Sequence, residues 1–372
     1  MAYTTIDDPS VYFQIGLYTG NGNNNKNINL GSANFTGEYV GQDIQPDLVW
    51  IKNTDTNGKD HGLWDSSRGT LKQINTNNTQ AENNTANSLT SFNSNGFTLG
   101  SDGGPNAADD AHVAWVWKAN AGSKTSVSAT GTAHESTMAG THQANTTAGF
   151  SIVEFSTASE SAGDKLVTHG IGKIPEMIIT KELDGTNDWF IHHKQANTND
   201  SKFLKFSTGA VGSTASRNSF DTSNITTTQF AVDRDNVVND NKDYIAYCFA
   251  PIKGYSRFGI YRGNGSADGT FVFTGFKPAF LMFKALSGSE GWGKFDNKRK
   301  TQSPVGKPRD IYLQPNNNNA NSSESDSVDF LSNGFKWRID SGFRNGDGVD
   351  FIYMAFAENP FTSSEGVPAT AG

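Results

Sequence analysis

Short apolar runs separated by long polar stretches make up this chain, and long helical windows are absent. Three of the runs share a form: Pro46-Asp47-Leu48-Val49-Trp50-Ile51-Lys52, Pro175-Glu176-Met177-Ile178-Ile179-Thr180-Lys181 and Pro278-Ala279-Phe280-Leu281-Met282-Phe283-Lys284. Each opens on proline, stays apolar, and ends on lysine at the seventh place. A nearly continuous apolar run of this length predicts a strand covered on both faces or central in a sandwich. Three later runs, His112 to Trp117, Tyr244 to Phe249 and Phe351 to Phe356, are rich in aromatics and alternate more. Asn-Gly pairs at Asn95-Gly96 and Asn333-Gly334 supply hairpin turns, because both residues tolerate positive φ. The pattern predicts many short strands and tight turns.

The elements recur in the same order three times. Tyr18-Thr19-Gly20-Asn21-Gly22 opens copy one and Tyr261-Arg262-Gly263-Asn264-Gly265 opens copy three, while the opening is degenerate in copy two, around Phe150 to Ala158. A proline-led strand follows, then an aromatic and basic strand, a late hairpin and a closing aromatic strand. The aromatic and basic strand reads His61 to Arg68, Trp189 to Lys194 and Trp292 to Arg299. Shared order, spacing and residue type over three copies indicate an internal repeat. The expected fold is all-β: three tandem β-sandwich-like repeats joined by short or Ser/Thr/Gly-rich connectors. The expected boundaries are an N-terminal anchoring segment at 1–11, repeat one at 12–119, a linker at 120–147, repeat two at 148–252, repeat three at 253–361, and a tail at 362–372.

Composition narrows the function classes. With 30 basic and 38 acidic residues the net charge is −8, and no basic cluster exceeds Lys298-Arg299-Lys300, so nucleic-acid binding is not expected. No stretch approaches the ~20 apolar residues of a membrane-spanning helix, so no membrane insertion is expected. The polar start Met1 to Pro9 lacks the apolar run of a secretory signal. One cysteine, Cys248, stands in a strand-like run and reads as a buried structural thiol.

Candidate chemistry is sparse. His134 and His142 fall in the polar connector, and His192 and His193 are adjacent on a strand, so their side chains point to opposite faces. The acidic loops before the closing strands (Asp102, Asp109 and Asp110; Asp233, Asp235, Asp240 and Asp243; Asp340, Asp347 and Asp350) read first as solvated hairpin turns; their oxygen ligands could hold calcium, although none matches an EF-hand. No cofactor is otherwise implied, and no pair of carboxylates stands out as catalytic. The tryptophans at repeated strand positions read as core. Trp64, Arg68, Trp292 and Lys298, on strands with a polar side, are the candidate ligand or partner contacts.

The Tyr-Thr-Gly-Asn-Gly opening, Gln45 to Lys52, Asp65-Ser66-Ser67-Arg68-Gly69, Ser91 to Ser101, Tyr244 to Ala250, Ala355 to Phe361 and Ala2 to Ser10 together resemble a family of repeat proteins from tailed phages of marine bacteria. The resemblance covers essentially the whole chain. It implies a non-enzymatic virion structural protein of the tail-fibre, appendage or head-surface type, built on a domain of unknown function. Its expected location is the virion surface, after synthesis in the host cytoplasm. Expected partners are other virion proteins, copies of itself as a trimer, and a host-surface glycan. A tail-fibre-like or receptor-binding appendage is the first reading, a head-decoration or capsid-fibre protein the second, and a carbohydrate-binding module the third. Copy two has lost the Gly-Asn-Gly opening and the Asp-Ser-x-Arg element, so a surface made of those elements would not extend to it.

Overall fold

A computed structural model describes residues 3–31, 41–131, 135–158, 163–196, 202–207, 212–213, 220–233, 238–299, 311–323 and 327–368. Copy one contributes β1 (Phe13–Thr19), β2 (Lys26–Asn29), β3 (Leu48–Asn53), β4 (Gly62–Asp65), β5 (Lys72–Asn75), β6 (Asn83–Asn84), β7 (Leu89–Asn93), β8 (Gly96–Leu99) and β9 (Ala111–Trp117). Copy two contributes β10 (Thr125–Val127), β11 (Gly140–Asn145), β12 (Phe150–Ser156), β13 (Asp164–Thr168), β14 (Met177–Glu182), β15 (Phe190–His193), β16 (Lys202–Phe203), β17 (Gly212–Ser213), β18 (Phe220–Asp221), β19 (Gln229–Asp233) and β20 (Asp243–Phe249). Copy three contributes β21 (Ser256–Arg262), β22 (Phe271–Phe273), β23 (Phe276–Ala285), β24 (Trp292–Asp296), β25 (Ile311–Tyr312), β26 (Ser322–Ser323), β27 (Val328–Leu331), β28 (Gly334–Trp337) and β29 (Asp350–Pro360).

The fold is all-β, and each copy is a sandwich of two antiparallel sheets. The larger sheets share one strand order: β1-β9-β3-β4, β12-β20-β14-β15 and β21-β29-β23-β24. The smaller ones, β2-β8-β7, β13-β19-β18 and β22-β28-β27, correspond in the same way. Register confirms the repeat residue by residue, since Trp50 faces Trp115, Ile179 faces Tyr247 and Met282 faces Met354. Leu48, Met177 and Phe280 are therefore equivalent, as are Trp117, Phe249 and Phe356.

Strand alternation divides each proline-led strand between two cores. Val49 and Ile51 of β3 point between the two sheets of copy one, with Trp64, Phe97 and Val116. Leu48 and Trp50 point the other way, into a cluster that includes Met177, Ile179, Phe280 and Met282 from the other copies. The three repeats thus close around one shared core. At its centre Trp117, Phe249 and Phe356 contact one another edge-to-face, with centroids 6.2, 5.7 and 5.9 Å apart. Equivalent residues that all touch one another define a pseudo-threefold axis.

Both connecting segments are more ordered than their composition suggests. The stretch 120–147, expected as a linker, carries β10 and β11, and β11 pairs with β12 along its whole length. Its start is fastened by Asp47, which accepts from the Ala119 and Ala121 amides at 2.7 and 3.0 Å. The N-terminal segment, expected as an anchoring peptide, lies along copy three: Thr4 Oγ1 donates to the Lys253 carbonyl at 2.9 Å and Tyr3 Oη to the Gly275 carbonyl at 3.1 Å. Ile6 enters the shared core. Asp7 in turn accepts from the Ser364 amide at 2.6 Å, tying the start of the chain to its tail.

Replacing Phe249 or Phe356 by alanine removes one ring of the central triad and is expected to cost ~3–5 kcal/mol through the cavity left behind. Because the cavity is common to all copies, scanning calorimetry should show one transition moving as a whole. A variant in which one repeat melts alone would contradict the shared core.

Candidate functional site at the seams between the repeats

Where two copies meet, the fourth strand of one large sheet faces the closing strand of another. Asp65, His193 and Asp296 end the fourth strands at equivalent register positions. Each makes a polar link to a different copy, and the links run in a cycle. Tyr247 Oη of copy two donates to Asp65 Oδ2 of copy one at 2.8 Å. Trp115 Nε1 of copy one donates toward Asp296 Oδ2 of copy three at 3.3 Å. Closing the cycle, His193 Nε2 of copy two donates to the Tyr353 carbonyl of copy three at 3.1 Å. The Gln195 amide donates to His193 Nδ1, so the proton sits on Nε2 and the ring is neutral. Burial holds the His193 pKa down at about 4, in keeping with that assignment.

The two aspartates share a local device. Asp65 accepts from the amides of Ser67 and Arg68 and from Arg68 Nε, the last at 2.5 Å. Asp296 repeats this with Lys298, Arg299 and Arg299 Nε. This is the Asp-x-x-Arg element read in the sequence, and its role is internal. Arg68 reaches on to Glu82 at 3.0 Å and to Tyr247 Oη at 3.4 Å. At Asp296 of copy three, Trp115 of copy one stands in place of that tyrosine, and the Arg299 guanidinium lies 5.5 Å from the Trp115 ring centre. Beside it Lys294 is fully buried, with Nζ 3.5 Å from the centres of both Trp50 and Trp115. Burial, with the Arg299 guanidinium nearby, pushes the Lys294 pKa well below the usual lysine value.

The four candidate contact residues are thereby relocated. Trp64 and Trp292 are each 1% exposed, and their indole N–H groups donate to Ser88 Oγ at 3.2 Å and to the Lys205 carbonyl at 2.8 Å. The Arg68 side chain is 2% exposed and held by its carboxylates. Arg68 and Trp292 are interior because their strands face a neighbouring copy instead of solvent, and Trp64 because it packs between the two sheets of its own copy. Lys298 is half-buried and lines a small cavity with Gln14 and Glu358. In the acidic loops Asp110 accepts from Asn53 and Thr56, Asp243 from Ser156, and Asp350 pairs with Arg262. Among the described residues no three His, Cys, Asp or Glu side chains gather as a metal site. His134 and Asp235 lie outside the described residues.

The Gly-Asn-Gly opening also proves structural. Asn21 and Asn106 exchange bonds, Asn21 N donating to Asn106 Oδ1 at 2.9 Å and Asn106 Nδ2 to Asn21 Oδ1 at 3.1 Å. Asn264 and Asn345 do the same in copy three. A Cβ on Gly20 would stand 1.9 Å from the Ala107 carbonyl oxygen, which accounts for the glycine. Asn106 and Asn345, both fully buried, are the partners that sequence reasoning passed over. Their signal was an asparagine a few residues before each closing strand.

One seam opens to solvent. Between copies one and two lies a groove of about 530 Å3, walled by Arg68, Lys72 and Glu82 on one side and by Lys124, Thr141, Glu154, Ser156 and Asp243 on the other. Its charges balance across the groove as a whole, three cations against three carboxylates, with Lys72 paired to Glu82 at 2.7 Å and Lys124 to Glu154 at 2.6 Å. Such walls present donors and acceptors without net charge, which suits a neutral hydroxylated ligand. A polyanion would meet three carboxylates there.

Residues 8–360 match a single family model, described as a domain of unknown function, DUF7483. The chain belongs to the DUF7483 family. No curated protein and no solved structure matches it. The match runs across all three copies, so in this chain one DUF7483 domain is the whole pseudo-threefold body and not one sandwich.

The buried titratable groups of this DUF7483 domain set its response to pH. His61, His112, His169, His192 and His193 are at most 3% exposed. Burial lowers the pKa of each, to about 4 for His112, His169 and His193 and about 3 for His192. Unfolded, these imidazoles titrate near 6.5. Below that value the unfolded chain binds more protons than the fold, so stability is complete above pH 6.5 and falls toward pH 4. The repeated lysines Lys52, Lys181 and Lys284, whose side-chain nitrogens donate to backbone carbonyls, are held by burial at about 8 against 10.5 unfolded. They oppose the fold below pH 8, and that cost disappears as pH rises to 10.5. Thermal melts are therefore expected to show a Tm that climbs from pH 4 to 6.5, whereas above pH 8 the gain from the lysines is opposed by Cys248 and the buried tyrosines, whose pKa values burial raises. A Tm that is flat or falling across the acid range would contradict the neutral, buried histidines.

Proposed function

We propose that this protein is a non-enzymatic surface component of a phage virion, of the tail-fibre-like or receptor-binding kind, and that the groove between copies one and two takes a host-surface glycan. The observation that carries the proposal is the groove itself, a solvent-open polar seam with internally matched charges. Supporting it is the way the other ionisable groups hold the repeats together: Asp65, Arg68, His193, Asp296 and Arg299 are all buried within the seams. A body in which three sandwiches share one core is suited to exposure outside the cell without disulfides. It also supplies threefold form within one chain, so a trimer of chains is not needed to create it.

The test is immunogold imaging of intact particles, followed by a glycan-binding screen on the isolated chain. Label at the tail and glycan binding are expected. Thr141→Arg and Lys124→Glu, both on the groove wall, should abolish binding while leaving the melting temperature nearly unchanged, since such surface changes usually stay within ~0.5 kcal/mol. Label spread over the head would sink the receptor-binding reading in favour of head decoration. Tail label with glycan binding that survives both substitutions would remove the groove from the account.

A further inference from the structure

The first strand of the large sheet has a different neighbour in each copy. In copy two the outer edge of β12 is covered by β11, antiparallel, from Phe150–Asn145 to Phe155–Gly140. In copy one β1 is largely buried, with Gln14 donating to the Gln42 carbonyl at 2.6 Å. In copy three β21 is an edge strand among the described residues, and Arg257, Ile260 and Arg262 on it are exposed.

The backbone of β21 is arranged to accept a strand. Ala357 N donates to the Tyr255 carbonyl and Gly263 N to the Val349 carbonyl, both at 2.8 Å. Alternation in an antiparallel ladder then turns the N–H and C=O groups of Arg257, Gly259 and Tyr261 toward β29. Those of Phe258, Ile260 and Arg262 point outward. The equivalent outward residues of copy two are Ile152, Glu154 and Ser156, which β11 covers.

The side chains around this edge are apolar and basic. Five large apolar side chains are exposed among the described residues, and three of them, Ile260, Phe271 and Phe273, belong to β21 and the neighbouring edge strand β22. Arg257 lies over the Phe273 ring at 5.7 Å, and Lys253 over Tyr3 at 4.5 Å. Neither cation has a carboxylate partner among the described ion pairs. A second copy adding its own β21 antiparallel about Ile260, the register that sets outward residues against outward ones, would bring Arg257 and Arg262 and no carboxylate to this edge. An unprotected edge with apolar neighbours is also an aggregation hazard unless it is covered.

We infer that β21 is a docking edge for an extended, acidic strand of another protein, added antiparallel as β11 is added to β12, with its apolar side chains over Ile260 and Phe273 and its carboxylates toward Lys253 and Arg257. The mode is strand addition, in which main-chain bonds give affinity and flanking side chains give specificity. This assignment does not rest on the groove or on the glycan.

The experiment is selection of a randomised nine-residue peptide library on the full chain, followed by fluorescence anisotropy with the enriched peptide. Ile260→Pro removes one outward amide and no bond to β29, a substitution that edge strands tolerate. Enriched peptides are expected to combine apolar alternation with acidic residues. Ile260→Pro should weaken binding roughly tenfold or more at unchanged melting temperature, and Arg257→Glu should shift the selected composition away from acids. Enrichment of no peptide, or equal binding by the Ile260→Pro variant, overturns the inference. So does sedimentation showing a dimer that Ile260→Pro dissolves, because the occupant would then be a second copy.

Discussion

Everything in this structure depends on the mutual contact of Trp117, Phe249 and Phe356. Edge-to-face rings at these separations attract through their quadrupoles as well as through burial. Geometry, more than the strength of the contact, gives it its reach. Once three equivalent residues meet, three large sheets must turn their inner faces toward one axis. Every proline-led strand is then covered twice, by its own small sheet and by the sister copies. That is why β3 and β14 are buried at every position, and why the strands next to them carry polar groups that must find partners inside the protein.

The three seams meet that requirement with different chemistry. A buried carboxylate accepts from tyrosine in one seam and from tryptophan in the next, and in the third a neutral histidine donates to a carbonyl. Unsatisfied buried polar groups cost more than a satisfied bond gains, so the partner must change whenever the residue does. Arg68 can bond a hydroxyl on Tyr247, whereas Arg299 stacks near the Trp115 ring. Copy two, which lacks both the Gly-Asn-Gly clamp and the Asp-x-x-Arg element, has Phe155 stacked on Tyr244 at 5.2 Å where copy one stacks Tyr18 on His112. The repeats have diverged in side-chain chemistry while keeping their register.

Much of the fold was legible in the sequence. The all-β class, the order of the main strands and the equivalence of Leu48, Met177 and Phe280 follow from residue type and spacing, because a strand buried on both faces leaves an unmistakable run. What buried the second face was not legible. Trp50 facing a sister copy and Val49 facing its own small sheet are both simply apolar, so three sandwiches in a row and three around an axis share one pattern. The burial of the candidate contacts was hidden for the same reason: Arg68 and Trp292 lie on strands whose polar side meets a sister copy, and Trp64 faces its own small sheet. The groove escaped detection because its walls come from residues more than forty positions apart, one of them on a segment whose Ser, Thr and Gly content suggested a connector.

The unequal treatment of the first strands follows from the same closed arrangement. Each large sheet has one lateral edge that the axis does not cover, and chain connectivity decides what lies beside it. The segment entering copy two is long enough to fold back as β10 and β11 and extend the sheet. The segment entering copy three is only the turn at Pro251 to Tyr255, which leaves nothing to fold back. The segment entering copy one takes a different path, placing Thr4 and Ile6 against copy three and the shared core. The N-terminal residues therefore brace copy three near the start of β21 without pairing along it. Of the three copies, copy three keeps its edge open to solvent among the described residues, and the edge carries the aromatic and cationic side chains that its equivalents lack.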